Sequence, residues 1–134
     1  MITRLSHATV YVLDHNRAID FYTNKLGLEV RTDATMGDFR WVTVGVPGQP
    51  ELEIALMEPK AGMTMDEETA AQLRALVQKG VLGGGVFETA DCAATYEQLK
   101  ARGVSFHGAP ETQPWGIAAV FTDDSGNFFS LSQH

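Results

Sequence analysis

Length, composition and charge set the broad class of this chain. Its 134 residues, of which 44% are hydrophobic, suit one globular domain with an ample core. Seventeen acidic residues against 10 basic ones give a formal net charge of −7, so we do not expect a nucleic acid partner. We expect no membrane span, because there is no run of eighteen apolar residues. The start of the chain does not resemble a signal peptide, and its one cysteine, Cys92, cannot form an internal disulfide, so we expect a cytoplasmic location.

The first half of the chain predicts one strand, one helix and three further strands. Alternating apolar residues indicate a strand from Leu5 to Leu13. A helix that Asp14 or Asn16 can cap follows it, and Gly27 ends this helix. The remaining strands are predicted over residues 28–35, 39–46 and 51–57, with a turn at 47–50.

The second half predicts the same order of elements after an intervening helix. Asp66 can cap that helix, which runs to about Lys79 and is ended by Gly80. Asp91 caps the following helix, and Gly103 ends it. The strands of this half are predicted over residues 83–89, 104–107, 115–122 and 128–132, with a turn at 123–127.

Equivalent positions in the two halves are separated by a constant number of residues. Adding 77 to Asp14 gives Asp91, and adding 77 to Glu53 gives Ser130. Such repetition predicts an α+β fold of two βαβββ modules that form curved mixed sheets around a cavity. The predicted divisions are module one at 1–59, a linker helix at 60–82 and module two at 83–134. Whether one chain or two enclose the cavity stays open.

Three passages resemble the vicinal oxygen chelate superfamily, which includes glyoxalases, bleomycin resistance proteins and extradiol dioxygenases. The first runs from Leu5 to Val12 and continues into the Phe21-Tyr22 and Leu26-Gly27-Leu28 segments. The second runs from Phe87 to Asp91 and continues over 99–104. The third is the Pro114-Trp115-Gly116 segment with the acidic turn and strand at 121–131. This order and spacing cover nearly the whole chain, and the resemblance implies the paired-module fold.

The resemblance also implies where a metal would bind. Enzymes of this superfamily place His or Glu ligands in the first and last strands of each module. Carried onto this chain, the positions are His7 and Glu53 in module one and Gly84 and Ser130 in module two. Glycine supplies no side-chain ligand and a serine hydroxyl is a poor one, so the set is incomplete. We therefore expect no cofactor, with a site for zinc, nickel, manganese or iron as the alternative.

Several residues leave this assignment open. Ala55 shares a strand face with Glu53 and is the other candidate for that position, which would leave His7 alone. Glu88 shares strand parity with Gly84, and His107 is also near, so either can complete a non-standard site. The structural alternative is that His7 is a hydrogen-bonded pocket histidine and that the carboxylates are exposed or paired with a base such as Arg40.

Side chains in phase with His7 are expected to face the cavity. The predicted ligand contacts are His7, Thr9, Tyr11, Trp41, Glu88, Trp115, Phe121 and Ser130. Such a lining suits a small planar or hydrophobic molecule with a few polar groups. Core packing is the alternative for the aromatic residues, expected for about half of them.

Two functional hypotheses follow from these residues. The first is a bleomycin-resistance-like protein that binds a small molecule without chemistry, which Gly84 and Ser130 favour. The alternative is a metal-dependent lyase, isomerase or dioxygenase, similar to lactoylglutathione lyase. A purely structural or regulatory interaction domain has no positive support. Open sheet edges also predict a homodimer.

Overall fold

A computed structural model describes residues 1–62 and 64–134 of the chain. Within these residues the strands form two mixed sheets, which is the α+β architecture predicted from the repeat. The first sheet has the order β1-β4-β3-β2, with strands β1 His7–Tyr11, β2 Glu29–Met36, β3 Phe39–Gly45 and β4 Glu53–Met57. The second has the order β5-β9-β8-β6, with strands β5 Gly83–Glu88, β6 Ser105–Phe106, β8 Gly116–Thr122 and β9 Phe128–Gln133, and with β7 Glu111–Gln113 beside β8.

Three helices occur in the described residues, each beginning after the aspartate that the sequence predicted as its cap. They are α1 His15–Asp20, α2 Glu67–Lys79 and α3 Cys92–Ala101. The carboxylates of Asp14, Asp66 and Asp91 each accept a hydrogen bond from a backbone N–H three residues later, at 2.8–3.0 Å. Helix α1 continues as a π-helical turn, Phe21–Lys25, and α2 ends at Gly80 in the left-handed conformation.

One hydrophobic core includes residues of both sheets and of the helices. The first sheet contributes Val10, Val42 and Leu56, and the second contributes Phe121 and Phe129, all in the same buried cluster. The cluster also includes residues of α1, its π-helical turn and α3. Each sheet therefore has one face in this cluster and one face turned away from it. We call these outer sides the open faces of the first and second sheets.

A buried turn ties the two halves together. The carboxylate of Asp123 accepts hydrogen bonds from the backbone N–H groups of Ser125, Gly126 and Asn127, each at 2.9 Å, and from the hydroxyl of Tyr22 at 2.7 Å. Burial and the Asp123 charge raise the pKa of Tyr22 well above its usual value, so the phenol remains a donor. This network fixes the turn between β8 and β9 against the end of α1.

Two features differ from the sequence prediction. The second half has a short additional strand, β7, that the sequence did not predict, and Gly108 and Pro110 separate it from β6. Strand β5 carries a bulge between Gly83 and Gly85, where three consecutive glycines remove the side chains that would hold the register. Among the described helices, none has the length and apolar character needed to cross a membrane.

Candidate functional site

The open face of the first sheet carries half of the predicted contact residues. His7 of β1 lies beside Glu53 of β4, Thr9 lies beside Ala55, and Tyr11 lies beside Met57. Strand β3 places Trp41 and Thr43 on the same side, because Thr43 is paired with Ala55. The register therefore sets Glu53, and not Ala55, at the level of His7.

An imidazole and a carboxylate form the polar centre of this face. The Nε2 atom of His7 lies 3.6 Å from Oε2 of Glu53. The hydroxyl of Thr43, which is fully buried, donates to the other oxygen of Glu53 at 2.7 Å. On its other side, Nδ1 of His7 lies 2.9 Å from the hydroxyl of Ser6. Thr43 thus holds Glu53 in place, and the pair can donate or accept a proton in a hydrogen bond to a ligand.

Aromatic rings extend this polar centre along the sheet. The rings of His7 and Trp41 are 5.9 Å apart between centroids, and those of Trp41 and Phe39 are 6.4 Å apart. Trp41 is partly exposed and Phe39 is exposed. We call His7, Trp41 and Phe39 the aromatic row. It offers flat apolar surface next to one hydrogen-bonding pair.

The open face of the second sheet is chemically simpler. Ser130 of β9 lies between Val86 of β5 and Val120 of β8, and Glu88 lies beside Ser132. At one end of this face the ring of Trp115 lies 5.3 Å from that of His134. Of the predicted contacts, Glu88 and Ser130 lie on this face, and Trp115 is exposed in the turn before β8.

Phe121 does not lie on either open face, and it lines instead the crevice beside the end of β5 that is described below. It is 1% exposed and stacks on Phe87 and Phe129, with centroids 6.2 and 5.6 Å away. Strand β8 is apolar on both sides, so the sequence alternation could not show which of its side chains face the core.

Gly84 also differs from its predicted role. A side chain built there would overlap the ring of Phe129, so this position points towards the core and not towards the open face. The bulge in β5 breaks the parity between Gly84 and Glu88 that the sequence suggested. The residue that lies beside Ser130, as His7 lies beside Glu53, is Val86.

The arrangement within the chain does not fit the metal site that the superfamily implies. In residues 1–62 and 64–134 there is no group of three His, Cys, Asp or Glu side chains placed to hold a metal ion. His7 and Glu53 supply two donors, and one oxygen of Glu53 is already engaged by Thr43. Glu88 and His107 belong to the second sheet and its adjoining loop, so they do not join this pair.

Sequence reasoning did not identify two residues, Thr43 and His134, that contribute to the open faces. Thr43 orients Glu53, and its alternation with Trp41 on β3 was the signal that placed it on the same face. His134 stacks on Trp115, a contact that no sequence pattern indicated. Cys92 is buried, and this burial raises the pKa of its thiol.

Two concavities lie away from the His7–Glu53 pair. A crevice of about 170 Å³ opens beside the end of β5, lined mainly by apolar residues: Leu26, Leu28, Val46, Phe87, Glu88, Thr89, Thr95, Leu99, Phe121 and Leu131. A wider depression of about 380 Å³ lies over α1 and is lined by Asn16, Arg17, Asp20, Phe21, Lys25 and Asp124. Neither brings an acid–base pair together with exposed aromatic rings, so the open face of the first sheet is the better candidate.

Comparison with known proteins agrees with this fold. The sequence model of a protein family, the glyoxalase, bleomycin resistance protein and dioxygenase superfamily, matches residues 4–131. The uncharacterized protein YetH of Bacillus subtilis (strain 168) is 34% identical, over 99% of this chain and 100% of YetH.

Solved structures extend the comparison. The crystal structure of UcmS2 is 49% identical and superimposes with a TM-score of 0.94 over 100% of both chains. TnmS3, described as an antibiotic binding protein from Streptomyces sp. CB03234, is 30% identical with a TM-score of 0.77, over 98% of this chain and 96% of TnmS3. The chain therefore belongs to the glyoxalase, bleomycin resistance protein and dioxygenase superfamily.

Proposed function

We propose that this protein binds a small, planar, uncharged molecule on the open face of its first sheet and does not transform it through a metal. The observation that carries the proposal is the aromatic row beside the His7–Glu53 pair. The row provides surface for stacking, and the pair provides one directional polar contact.

The charges on this face favour an uncharged ligand. Glu53 is its central anion, and the whole chain carries a net charge of −7, so an anionic molecule would be repelled. The guanidinium of Arg40, the base suggested as a partner for the carboxylates, is instead paired with Asp33 at 2.8 Å and donates to Asn16 of α1. That pairing also raises the pKa of Arg40.

The relatives support binding over catalysis. TnmS3 is described as an antibiotic binding protein, and it shares 30% identity with nearly the whole of this chain. By that similarity, the ligand proposed here would be held and released unchanged, as in sequestration of a toxic small molecule. We further propose that the protein is a homodimer and works in the cytoplasm.

A matched pair of fluorescent probes tests the proposal. N-phenyl-1-naphthylamine is neutral, whereas 8-anilinonaphthalene-1-sulfonate has the same ring system with an anionic group. Both would be titrated into untagged protein treated with a chelator. We expect the neutral probe to bind more tightly, and Trp41→Ala to weaken it about tenfold, which is about 1.4 kcal/mol. Leu76→Ala, at an exposed position on α2, is the control and should leave binding unchanged.

Either of two results would contradict this proposal. The first is equal binding to wild type and Trp41→Ala, which would place the probe elsewhere. The second is a near-stoichiometric metal in protein purified without a tag, lost on changing His7 or Glu53. That second result would favour the alternative of a metal-dependent lyase, isomerase or dioxygenase.

A further inference from the structure

A β-bulge in β2 places the side chain of Arg31 on the open face of the first sheet. The pairing of β2 with β3 shifts between Val30 and Thr32, so Arg31 has no partner residue on β3. Such a bulge breaks the alternation of side chains and re-aims the extra residue. The Arg31 side chain reaches across to β3, where a Cβ atom built at Gly45 would lie 2.5 Å from its Cζ. Because Gly45 is two residues from Thr43, the guanidinium lies on the open face.

The guanidinium of Arg31 lies flat against β3. The Cβ position of Gly45 would be 2.5 Å from Cζ, 2.6 Å from Nη2 and 2.8 Å from Nε of Arg31. Because the three distances are nearly equal and the central carbon is the nearest atom, the planar group presents a face to Gly45 and not an edge. Glycine leaves the room that this close approach requires. The second face of the guanidinium is therefore directed away from the sheet.

The edge of the guanidinium is already engaged by the protein. Nη2 of Arg31 donates to the backbone oxygens of Val46 and Gln49 at 2.9 and 3.4 Å. The same nitrogen lies 3.5 Å from the carboxylate of Glu29, whose side chain is 54% exposed, so solvent screens this ion pair. The side chain of Arg31 itself keeps 18% of its surface exposed. The outer face is what this fixed guanidinium can offer to a ligand.

This outer face lies beside the polar centre of the proposed site. The antiparallel register of β3 and β4 pairs Val44 with Ile54. The next residues of the two strands, Gly45 and Glu53, therefore lie at one level. His7 lies at the same level on the other side of Glu53. A planar molecule held by the His7–Glu53 pair would thus have the guanidinium within reach of one of its rings.

We propose that Arg31 is a specificity-determining residue of this site, because the outer face of its guanidinium stacks on the ligand and selects electron-rich aromatic rings. The inference rests on the proposed function, since it concerns the same ligand. A cation within about 6 Å of a ring centre is attracted by the electron density of the ring face, and the flat guanidinium stacks on such faces. An electron-withdrawing substituent removes that density and weakens the attraction.

Two uncharged naphthalenes test this selection. In 1-methoxynaphthalene the substituent donates electrons to the ring system, whereas in 1-cyanonaphthalene it withdraws them. Both would be titrated into untagged protein by calorimetry, and we expect wild type to bind the methoxy compound about fivefold more tightly. Arg31→Gln keeps a planar group that can donate to the same backbone oxygens but removes the charge. This variant should bind the two probes equally.

A second variant moves the guanidinium without changing it. In Gly45→Ala the added methyl group meets the end of the flexible Arg31 side chain, so we expect the guanidinium to move and the fold to be kept. The preference for the methoxy compound should fall, and adding Arg31→Gln should lower it no further than Arg31→Gln alone. Gly48→Ala is the matched control, because a Cβ atom there meets nothing within 4 Å. It should keep the full preference.

The outcomes separate this inference from the proposed function. Equal binding of the two probes by wild type, or an equal loss of both in Arg31→Gln, would overturn the role of Arg31 and leave the proposed function standing. The full preference in Gly45→Ala would also overturn it, because the guanidinium would then not act from its position on Gly45. Binding of neither probe by wild type would overturn the proposed function, and the selection by Arg31 with it.

Discussion

The two halves of this molecule repeat one architecture but differ in what their side chains do. In the first sheet, His7 lies beside Glu53, and Trp41 and Phe39 continue the face. At the matching level of the second sheet, Val86 lies beside Ser130, and neither side chain can carry a charge. The difference shows that the two halves share the arrangement of strands, whereas the acid–base pair, His7 and Glu53, is present in the first half.

The stabilising contacts show the opposite asymmetry. The turn between β8 and β9 is organised by the buried carboxylate of Asp123, which also binds Tyr22 of the first half. The connection between β3 and β4 has no comparable buried carboxylate among its described residues; there Arg31 donates to the backbone oxygens of Val46 and Gln49 at 2.9 and 3.4 Å. Recognition is therefore concentrated in the first half, and the contact that joins the halves is in the second.

The largest expected effect comes from removing that joining contact. Asp123→Ala leaves three backbone donors and the Tyr22 hydroxyl without their acceptor, so we expect a loss of about 3 kcal/mol or more in the free energy of unfolding. Gln49→Ala in the other connection is the matched control and should stay within about 0.5 kcal/mol. Urea unfolding measures both. Equal losses would show that the two connections do not differ as described.

A smaller loss is expected where the glycines of β5 meet the core. Gly84→His would force an imidazole against Phe129, so we expect a loss of about 2 kcal/mol in stability. Val86→His, on the open face beside Ser130, should change stability little. Urea unfolding measures both variants. An equal loss of stability in Val86→His and Gly84→His would contradict the assignment of Gly84 to the core side of β5.

A smaller loss of stability is expected from removing the hydrogen bond that Thr43 donates to Glu53 in the His7–Glu53 pair. Thr43→Val keeps the shape of a buried side chain but removes the hydrogen bond to Glu53, so we expect a loss of about 1 kcal/mol. We also expect an altered ¹⁵N chemical shift of the His7 ring, because Glu53 is no longer fixed beside it. Thr9→Val, on the exposed part of the same face, should leave both unchanged. An unaltered His7 spectrum in Thr43→Val would mean that Thr43 does not position the pair.

The smallest expected effect is a pH dependence of stability that comes from Asp124, which neighbours Asp123 in the turn between β8 and β9. Burial, followed by the charge of Asp123, raises the pKa of Asp124 from 3.8 to about 6. The folded protein then holds this proton more tightly than the unfolded chain, so the stability from Asp124 is full below about pH 3.8 and is lost as pH rises through about 6.

Asp124→Asn should remove this pH dependence. Because Asp124 is only partly buried, solvent screening reduces the effect, and we expect the variant to be more stable than wild type at pH 8 by less than about 1 kcal/mol. The two proteins should be equally stable near pH 4. Thermal unfolding across this range measures the difference, and a gain that is the same at pH 4 and pH 8 would exclude titration as its cause.

The sequence predicted the parts of the fold that local chemistry determines. Asp14 and Asp91 were recognisable as helix caps because a short carboxylate before an apolar helical pattern satisfies free backbone N–H groups. His7 and Glu53 were suggested by the resemblance to the superfamily, with Ala55 left open as the alternative to Glu53, and the strand register places Glu53 beside His7.

The parts that could not be predicted depend on packing between distant residues. The direction of Gly84 follows from a bulge, which three glycines permit but do not specify. The burial of Phe121 follows from which face of an evenly apolar strand meets the core.

Mapping a bound probe on the protein tests the central claim most directly. Amide chemical shifts of ¹⁵N-labelled protein would be recorded while N-phenyl-1-naphthylamine is added. The account predicts that the largest changes fall on His7, Thr43 and the Trp41 indole, on the open face of the first sheet. Changes centred on Leu28, Val46 and Leu99, which line the crevice beside β5, would contradict it and would place the binding site between the two sheets.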